Sequence, residues 1–359
     1  MNTCKAQTVI ERVYAEAIPD RRDIEYLLSL EDDRETQMLF DYANAVRKIF
    51  SGDEILLRGL IEFSSFCKNT CLYCGLNRNN TKLQRYRLTG AQIMAAVRNV
   101  VAAGIKTVVL QSGEDENLDV YWLKELVEEI KSGFDIAVTL SVGERRFVDY
   151  QFWKLAGADR YLLKIETTDQ QLYQALHPGM SFEHRIACSR NLKALGYQNG
   201  SGCLVGLKGQ TIRSLAEDII FFKNENFEMI GIGLFIPHAE TVLKDEPVGN
   251  INLALKVLAV TRIVTKNAHL PATTAIGSVG ENDARITALN AGANVLMPNF
   301  TPQPYKKLYE IYPGKRCVGE QCGGCVGGME AMAQAIGRTI CYSRGDSLKK
   351  DSCACTMSN

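Results

Sequence analysis

The 359-residue chain balances 41 Lys and Arg against 41 Asp and Glu, a net charge of zero that argues against a nucleic-acid binder, which carries a basic excess or stripe. Hydrophobic residues at 46% and charged residues at 23% describe an ordinary globular chain, too apolar for disorder. No apolar run reaches the roughly 18 to 20 residues of a membrane span, and acidic residues interrupt the N-terminal stretch where a signal peptide needs an apolar core. The chain therefore reads as soluble and cytoplasmic.

Residues 1–50 read as a helical extension, with Ile24, Leu27 and Leu28 at helical spacing. Beyond them, short apolar runs alternate with amphipathic stretches. Runs at 56–63, 107–111, 136–141, 160–165, 201–205, 229–235, 272–276 and 294–297 predict eight strands, and their continuous hydrophobicity suits a parallel sheet covered on both faces. Thr89 is the expected N-cap of a helix through Ala103, with Gly104 as its stop. Further helices are expected at 121–131, 182–195 and 212–224. Eight strands in βα alternation predict an α/β fold, a TIM-type (β/α)8 barrel over residues 51–315. An open doubly wound sheet is the alternative, because counting strands does not establish closure. Residues 316–359 form a Cys-rich tail, expected to be disordered from about Lys349.

In such a barrel, chemistry sits at the C-terminal ends of the strands. Those positions carry Gln111-Ser112-Gly113-Glu114-Asp115 after the second strand, Ser141-Val142-Gly143-Glu144 after the third and Lys164-Ile165-Glu166-Thr167 at the fourth. The sixth runs into Ile236-Pro237-His238, the seventh carries Thr273-Thr274, and the eighth ends at Met297-Pro298-Asn299. Polar groups gathered on one rim predict an active site there. His238 follows a strand on that rim and is a candidate to line it, with a structural role as the alternative.

Twelve cysteines in a reducing compartment suggest metal binding or catalysis before disulfides. Cys67, Cys71 and Cys74 follow the first strand with CxxxCxxC spacing. Three thiolates on one loop can hold three irons of a [4Fe–4S] cube and leave the fourth open to a ligand. A ferredoxin or structural zinc site would want a fourth cysteine nearby, and none follows. With Tyr73 just before the third cysteine, the loop resembles that of the radical S-adenosylmethionine (SAM) enzymes, whose open iron chelates the methionine end of SAM. Gly113-Glu114 resembles their GGE motif, with Ser112 in place of the first glycine. Glu166 and Arg185 are candidates for the SAM ammonium or ribose and the SAM carboxylate.

The resemblance narrows further. IEFSSFCKNTCLYCGLNRNN, VLQSGED, RYLLKIET, LHPGMSFEHR, GIGLFIPH, PATTA and GANVLMPNFTP resemble, in order over residues 50–315, the HydE family of [FeFe]-hydrogenase maturases. Biotin synthase and methylornithine synthase share the cysteine loop and are the nearest competitors. The resemblance implies a [4Fe–4S] cluster with one open iron, SAM, reductive cleavage to a 5′-deoxyadenosyl radical, and an iron–carbonyl–cyanide–cysteine precursor whose cysteine sulfur is attacked. It also implies reduced ferredoxin or flavodoxin as electron donor and other hydrogenase maturases as partners. By the same resemblance, Tyr73, Gln111, Gly113, Glu114, Ser141, Glu166, Arg185 and Tyr309 surround SAM, and Arg58, Thr273, Thr274, Met297 and Tyr312 line the substrate cavity. Lys164-Ile165 stands where some members have Arg-His, and Lys208 replaces an expected proline.

A second group, Cys317, Cys322 and Cys325, resembles an accessory iron–sulfur site of the family, with a shorter first spacing. A [2Fe–2S] or [4Fe–4S] cluster, zinc and free thiols all remain open for it. Cys188 and Cys203 read as buried structural thiols, Cys353 and Cys355 as unligated, and His177 and His184 as surface or capping residues. Two other functions fit part of the pattern: a biotin synthase- or methylornithine synthase-like enzyme acting on an amino-acid-type substrate, or an iron–sulfur scaffold or electron carrier. The carrier accounts for the cysteines but leaves the loaded rim unexplained.

Overall fold

A computed structural model of the chain describes residues 4–280, 282–316, 319 and 324–349. The described residues form nine strands: β1 Glu54–Leu57, β2 Gly59–Ser64, β3 Thr107–Ser112, β4 Ala137–Ser141, β5 Arg160–Leu162, β6 Gln198–Val205, β7 Met229–Leu234, β8 Val295–Leu296 and β9 Thr339–Cys341. All their ladders are parallel, in arcs ordered β2-β3-β4-β5-β6-β7 and β8-β1-β9. Isolated parallel bridges from Leu60 to Asn299, Met229 to His269 and Pro271 to Val295 span the gaps between the arcs. The architecture is an α/β fold of the TIM type.

The helices between strands begin where side chains cap them. Thr89 and Gln92 make a reciprocal capping box for helix Gly90–Ala102, and Gly104 follows at φ 77°. Asp119, Ser181 and Thr211 cap helices Val120–Gly133, Phe182–Ala194 and Ile212–Asn224. Ahead of the barrel, helices Lys5–Ala15, Arg21–Leu28 and Asp33–Ser51 pack on helix Ile251–Thr265. That last helix is buried from Ala254 to Thr265 apart from Lys256, and its sequence is mostly apolar. Among the described residues, no helix is long and apolar enough to cross a membrane.

Three sequence expectations change. The first strand, expected as one run at 56–63, breaks at Arg58 into β1 and β2, which lie in different arcs. The seventh strand, expected at 272–276, is reduced to bridges at His269 and Pro271, and the chain turns into a short helix Thr274–Gly277. The tail supplies an unexpected strand, β9, which pairs with β1 in the register Glu54 to Thr339 and Leu56 to Cys341. Residues 344–346 then cross the N-terminal end of the barrel. There Arg160 donates to the Arg344 carbonyl (2.8 Å) and Asp346 (2.6 Å), and Thr107 Oγ1 donates to the Arg344 carbonyl (2.8 Å).

Candidate active site

The chain leaves β2 at Ser64 and forms the cysteine loop at the opposite end from that closure. Arg85 holds the loop's shape, donating to the carbonyls of Ser65 (2.5 Å), Leu76 (2.7 Å), Asn77 (2.7 Å) and Asn80 (3.3 Å). Asn77 and Asn80 side chains donate to the Cys74 and Gly75 carbonyls. The loop is tied to the end of β3 by Lys68 N–H donating to the Glu114 carbonyl (2.9 Å) and Gly113 N–H to the Ser64 carbonyl (3.0 Å). A Cβ at Gly113 would strike the Phe66 carbonyl and crowd Cys67, so glycine is required there by close approach. Ser112 carries no such constraint; its hydroxyl donates to the Gly113 carbonyl (2.6 Å).

Cys67, Cys71 and Cys74 are unpaired, half-buried thiols. Burial pushes Cys74 up to about 12, with the neighbouring Cys67 charge adding to it. Burial likewise holds Cys71 well above an ordinary thiol, followed by the charges of Cys74 and Cys67, and raises Cys67. Three desolvated thiols that repel one another as thiolates are the donor set that iron stabilises, since the metal supplies the missing positive charge. The residues present fit a three-cysteine [4Fe–4S] site.

Around the loop stand the other rim residues. Tyr73 O–H donates to His177 Nε2 (2.8 Å), while His177 Nδ1 bonds the Tyr173 carbonyl (2.8 Å). Burial pushes the His177 imidazole down to about 4, so it is neutral and its two partners fix the tautomer. The expectation of a surface position is corrected, since His177 is buried under the cysteine loop, while its capping role holds: it is the C-cap of helix Gln170–Leu176. Arg185 Nε lies 2.9 Å from Glu144 Oε1 and 3.2 Å from the Tyr173 hydroxyl. Burial opposes its charge, but Glu144, Tyr173 and Glu114 outweigh that and hold it firmly protonated. Glu114 Oε1 sits 3.1 Å from Lys68 Nζ, and its Oε2 accepts from the Glu144 N–H (2.9 Å). Glu166 adopts φ 66°, a left-handed conformation uncommon for a residue with a side chain, and its Oε2 pairs with Lys164 (2.8 Å). The charges of Arg185 and Glu166 both act on the Cys71 thiol, so these groups converge on the loop.

Tyr309 is buried, receives a hydrogen bond from Gln111 Nε2 (3.3 Å), and feels the Cys74 charge. Ser141 ends β4, half-buried. Two residues that sequence reasoning missed lie beside Tyr309: Lys315, whose amino group is 5.2 Å from its ring centre, and buried Glu62, to which Lys315 is bonded. A carboxylate inside the apolar run of β2 was the available signal for Glu62. Arg85 carried none.

A model of the radical SAM superfamily matches residues 61–222. The [FeFe] hydrogenase maturase subunit HydE of Thermotoga maritima is 46% identical over 318 residues, 89% of this chain and 91% of that protein. This chain belongs to the HydE family of radical SAM enzymes. A 3-methylornithine synthase of Methanosarcina acetivorans is 32% identical over 76% of the chain and 77% of its own length. Among solved structures, methylornithine synthase (PylB) superposes with a TM-score of 0.82 at 26% identity, covering 93% of this chain and 97% of its own. The maturase HydG gives 0.80 at 17% identity over 94% and 76%, a likeness of fold alone.

Radical SAM enzymes of this family use a [4Fe–4S] cluster and SAM, and the cysteine loop carries a donor set that fits such a cluster. Of the residues expected in a HydE-type cavity, Thr273, Thr274, Met297 and Tyr312 are half-buried; Thr274 opens the short helix Thr274–Gly277, Met297 follows β8, and Tyr312 follows Ile311, whose carbonyl accepts from the Gly75 N–H of the cysteine loop (3.0 Å). Thr273 Oγ1 donates to the Ile232 carbonyl (2.9 Å). Arg58 does not join them. It interrupts β1 and β2, is fully buried, and reaches the Met229 sulfur and the Gly345 carbonyl at the N-terminal end of the barrel. His238 packs beside the cysteine loop, where a Cβ at Gly75 would meet its ring at 2.7 Å. Lys208 is an exposed loop residue paired with Glu246 (2.6 Å). Cys188 and Cys203 are buried, as expected. Cys317, Cys322, Cys353 and Cys355 lie outside the described residues, as does the Cys325 side chain.

Proposed function

We propose that this enzyme acts in assembly of the [FeFe]-hydrogenase active site, on an iron–carbonyl–cyanide–cysteine precursor. The observation that carries the reading is the 46% identity to a HydE maturase over nearly the whole of both chains. The cluster, when bound, supplies the electron that cleaves SAM to methionine and a 5′-deoxyadenosyl radical. Cys67, Cys71 and Cys74 would hold it. Arg185 neutralises the SAM carboxylate, Glu166 takes its ammonium or ribose, and Gly113-Glu114 presents main-chain groups to the ammonium. Tyr73, Gln111, Ser141 and Tyr309 complete the SAM surroundings, while Thr273, Thr274, Met297 and Tyr312 face the precursor. The packed barrel excludes water, which a primary alkyl radical requires.

Three parts of the chain divide this work: helices over 1–50, the barrel over 51–315, and a Cys-rich segment over 316–359 whose Cys317, Cys322 and Cys325 hold an accessory iron–sulfur cluster. The enzyme works in the cytoplasm with reduced ferredoxin or flavodoxin and the other maturases. In an anaerobic maturation mixture lacking HydE, addition of this protein restores hydrogenase activity and yields 5′-deoxyadenosine. Restoration failing while SAM is still cleaved would overturn the precursor and favour an amino-acid substrate; no cleavage at all would return it to a carrier. Serine in place of Cys317, Cys322 and Cys325 removes iron yet keeps most SAM cleavage.

A further inference from the structure

We propose that Glu144, His184 and Cys188 form a second metal site, of the zinc type, built from a different set of ligands than the cysteine loop. The inference rests on their geometry alone and not on the proposed precursor. Helix Phe182–Ala194 begins at the Ser181 cap, and the four-residue spacing of His184 and Cys188 places both on one face of it. Glu144 comes from the loop after β4, where Gly143 at φ 80° passes so close to Glu114 that no side chain would fit.

One ligand atom from each residue converges. Glu144 Oε2 is 2.7 Å from His184 Nδ1, Cys188 Sγ is 3.7 Å from the same nitrogen, and all three atoms lie within 4.8 Å of one another. Bonds of about 2.3 Å to sulfur and about 2.0 Å to nitrogen and oxygen at tetrahedral angles put nitrogen and oxygen about 3.3 Å apart and sulfur about 3.5 Å from either. The Cys188–His184 spacing is already close to that of a filled site, while the hydrogen-bonded Glu144–His184 pair opens by about 0.6 Å when the ion replaces its proton. The donors, thiolate, imidazole and carboxylate, are the zinc set.

The surroundings are arranged as around a bound cation. Glu144 is buried, with its N–H bonded to Glu114 and its other oxygen beside Arg185, so the carboxylate is oriented before any metal arrives. Cys188 is buried, while 59% of the His184 side chain is exposed, which leaves a fourth position for water. The ion takes the place of the proton between His184 Nδ1 and Glu144. That proton moves through solvent to Nε2, and the Cys188 thiol proton is released to solvent, so about one proton leaves per zinc bound.

The test uses the full-length, cluster-loaded enzyme under anaerobic conditions, titrated with Zn2+ against a chromophoric chelator. The wild type is expected to retain roughly one zinc more than the His184→Ala, Cys188→Ser double variant, at equal iron content. Its zinc X-ray absorption should show one sulfur near about 2.3 Å with lighter ligands at about 2.0 Å. Because Cys188 is buried and its replacement can disturb the helix, His184→Ala alone, at an exposed ring, is measured beside it and should weaken zinc binding about tenfold or more. Equal zinc in wild type and both variants, no zinc in any, or zinc bound only as iron is lost overturns the site. None of these outcomes alters whether the enzyme cleaves SAM.

Discussion

The two ends of the barrel are built on opposite terms. At the N-terminal end, polar groups find partners in the tail: Arg160 reaches Thr107, Gln198, Arg344 and Asp346, and His269 is held between Asn294 and the Asp346 carbonyl. At the C-terminal end, burial and mutual repulsion oppose the charge of three half-buried thiols and are only partly offset by Arg185 and Arg85, and Glu166 sits in a left-handed backbone conformation. The first end is closed largely by the protein's own groups, though buried Arg58 Nε and Thr139 Oγ1 lack hydrogen-bond partners there among the described residues. The other is complete only with a ligand, and that contrast separates stability from chemistry in this fold.

The largest effect is expected where charge is least compensated. Replacing Cys67, Cys71 and Cys74 together with Ser should abolish the SAM-responsive cluster spectrum and all 5′-deoxyadenosine formation. SAM cleavage at the wild-type rate in that variant would remove the distinction between the ends. Next come Arg185→Ala and Glu166→Ala. Loss of a charge-assisted hydrogen bond is worth roughly 1.5–3 kcal/mol, so SAM affinity should fall about 10- to 150-fold while iron content stays constant. Unchanged affinity in both would leave them as structural residues.

The smallest effect belongs to the closed end. Burial, and then the nearby Arg58, pushes His269 down to about 3 from an unfolded value near 6.5. Between those values the unfolded chain takes up a proton that the folded one refuses, so stability falls as pH drops below 6.5. This group contributes a slope of about 1.4 kcal/mol per pH unit. In urea unfolding of the holoenzyme between pH 7 and pH 5, His269→Gln should show a shallower acid loss than wild type. Identical slopes would mean the imidazole is not sealed off.

Local signals in the sequence were sufficient for much of this. The cap at Thr89, the apolar runs behind β3, β4 and β7, and the cysteine spacing each act over a few residues, and each appears where expected. What escaped depends on distant partners. The 272–276 run has strand composition, yet Thr273 gives its hydroxyl to Ile232 and the backbone turns helical. Arg58 marks itself as unusual by being charged inside a strand, but periodicity does not say which end of the barrel a side chain serves. His177 sits in a His-Pro-Gly turn that reads as surface, and Tyr173 packed on its ring together with Tyr73, far back in the chain, covers it. Glu62 needed Lys315 to be understood.

The pairing of β1 also has a consequence for the order of assembly. Both of its lateral neighbours, β8 and β9, come from the last part of the chain, with Thr339 lying opposite Glu54. During synthesis β1 is an open edge from the moment it emerges until residue 341 has left the ribosome, while β2 finds β3 early. Such long-range closure is slow, because the loop entropy is spent before the contacts form. The first strand made is therefore the last to be fully paired, and it is the stretch of this chain most in need of protection from other edges while it waits.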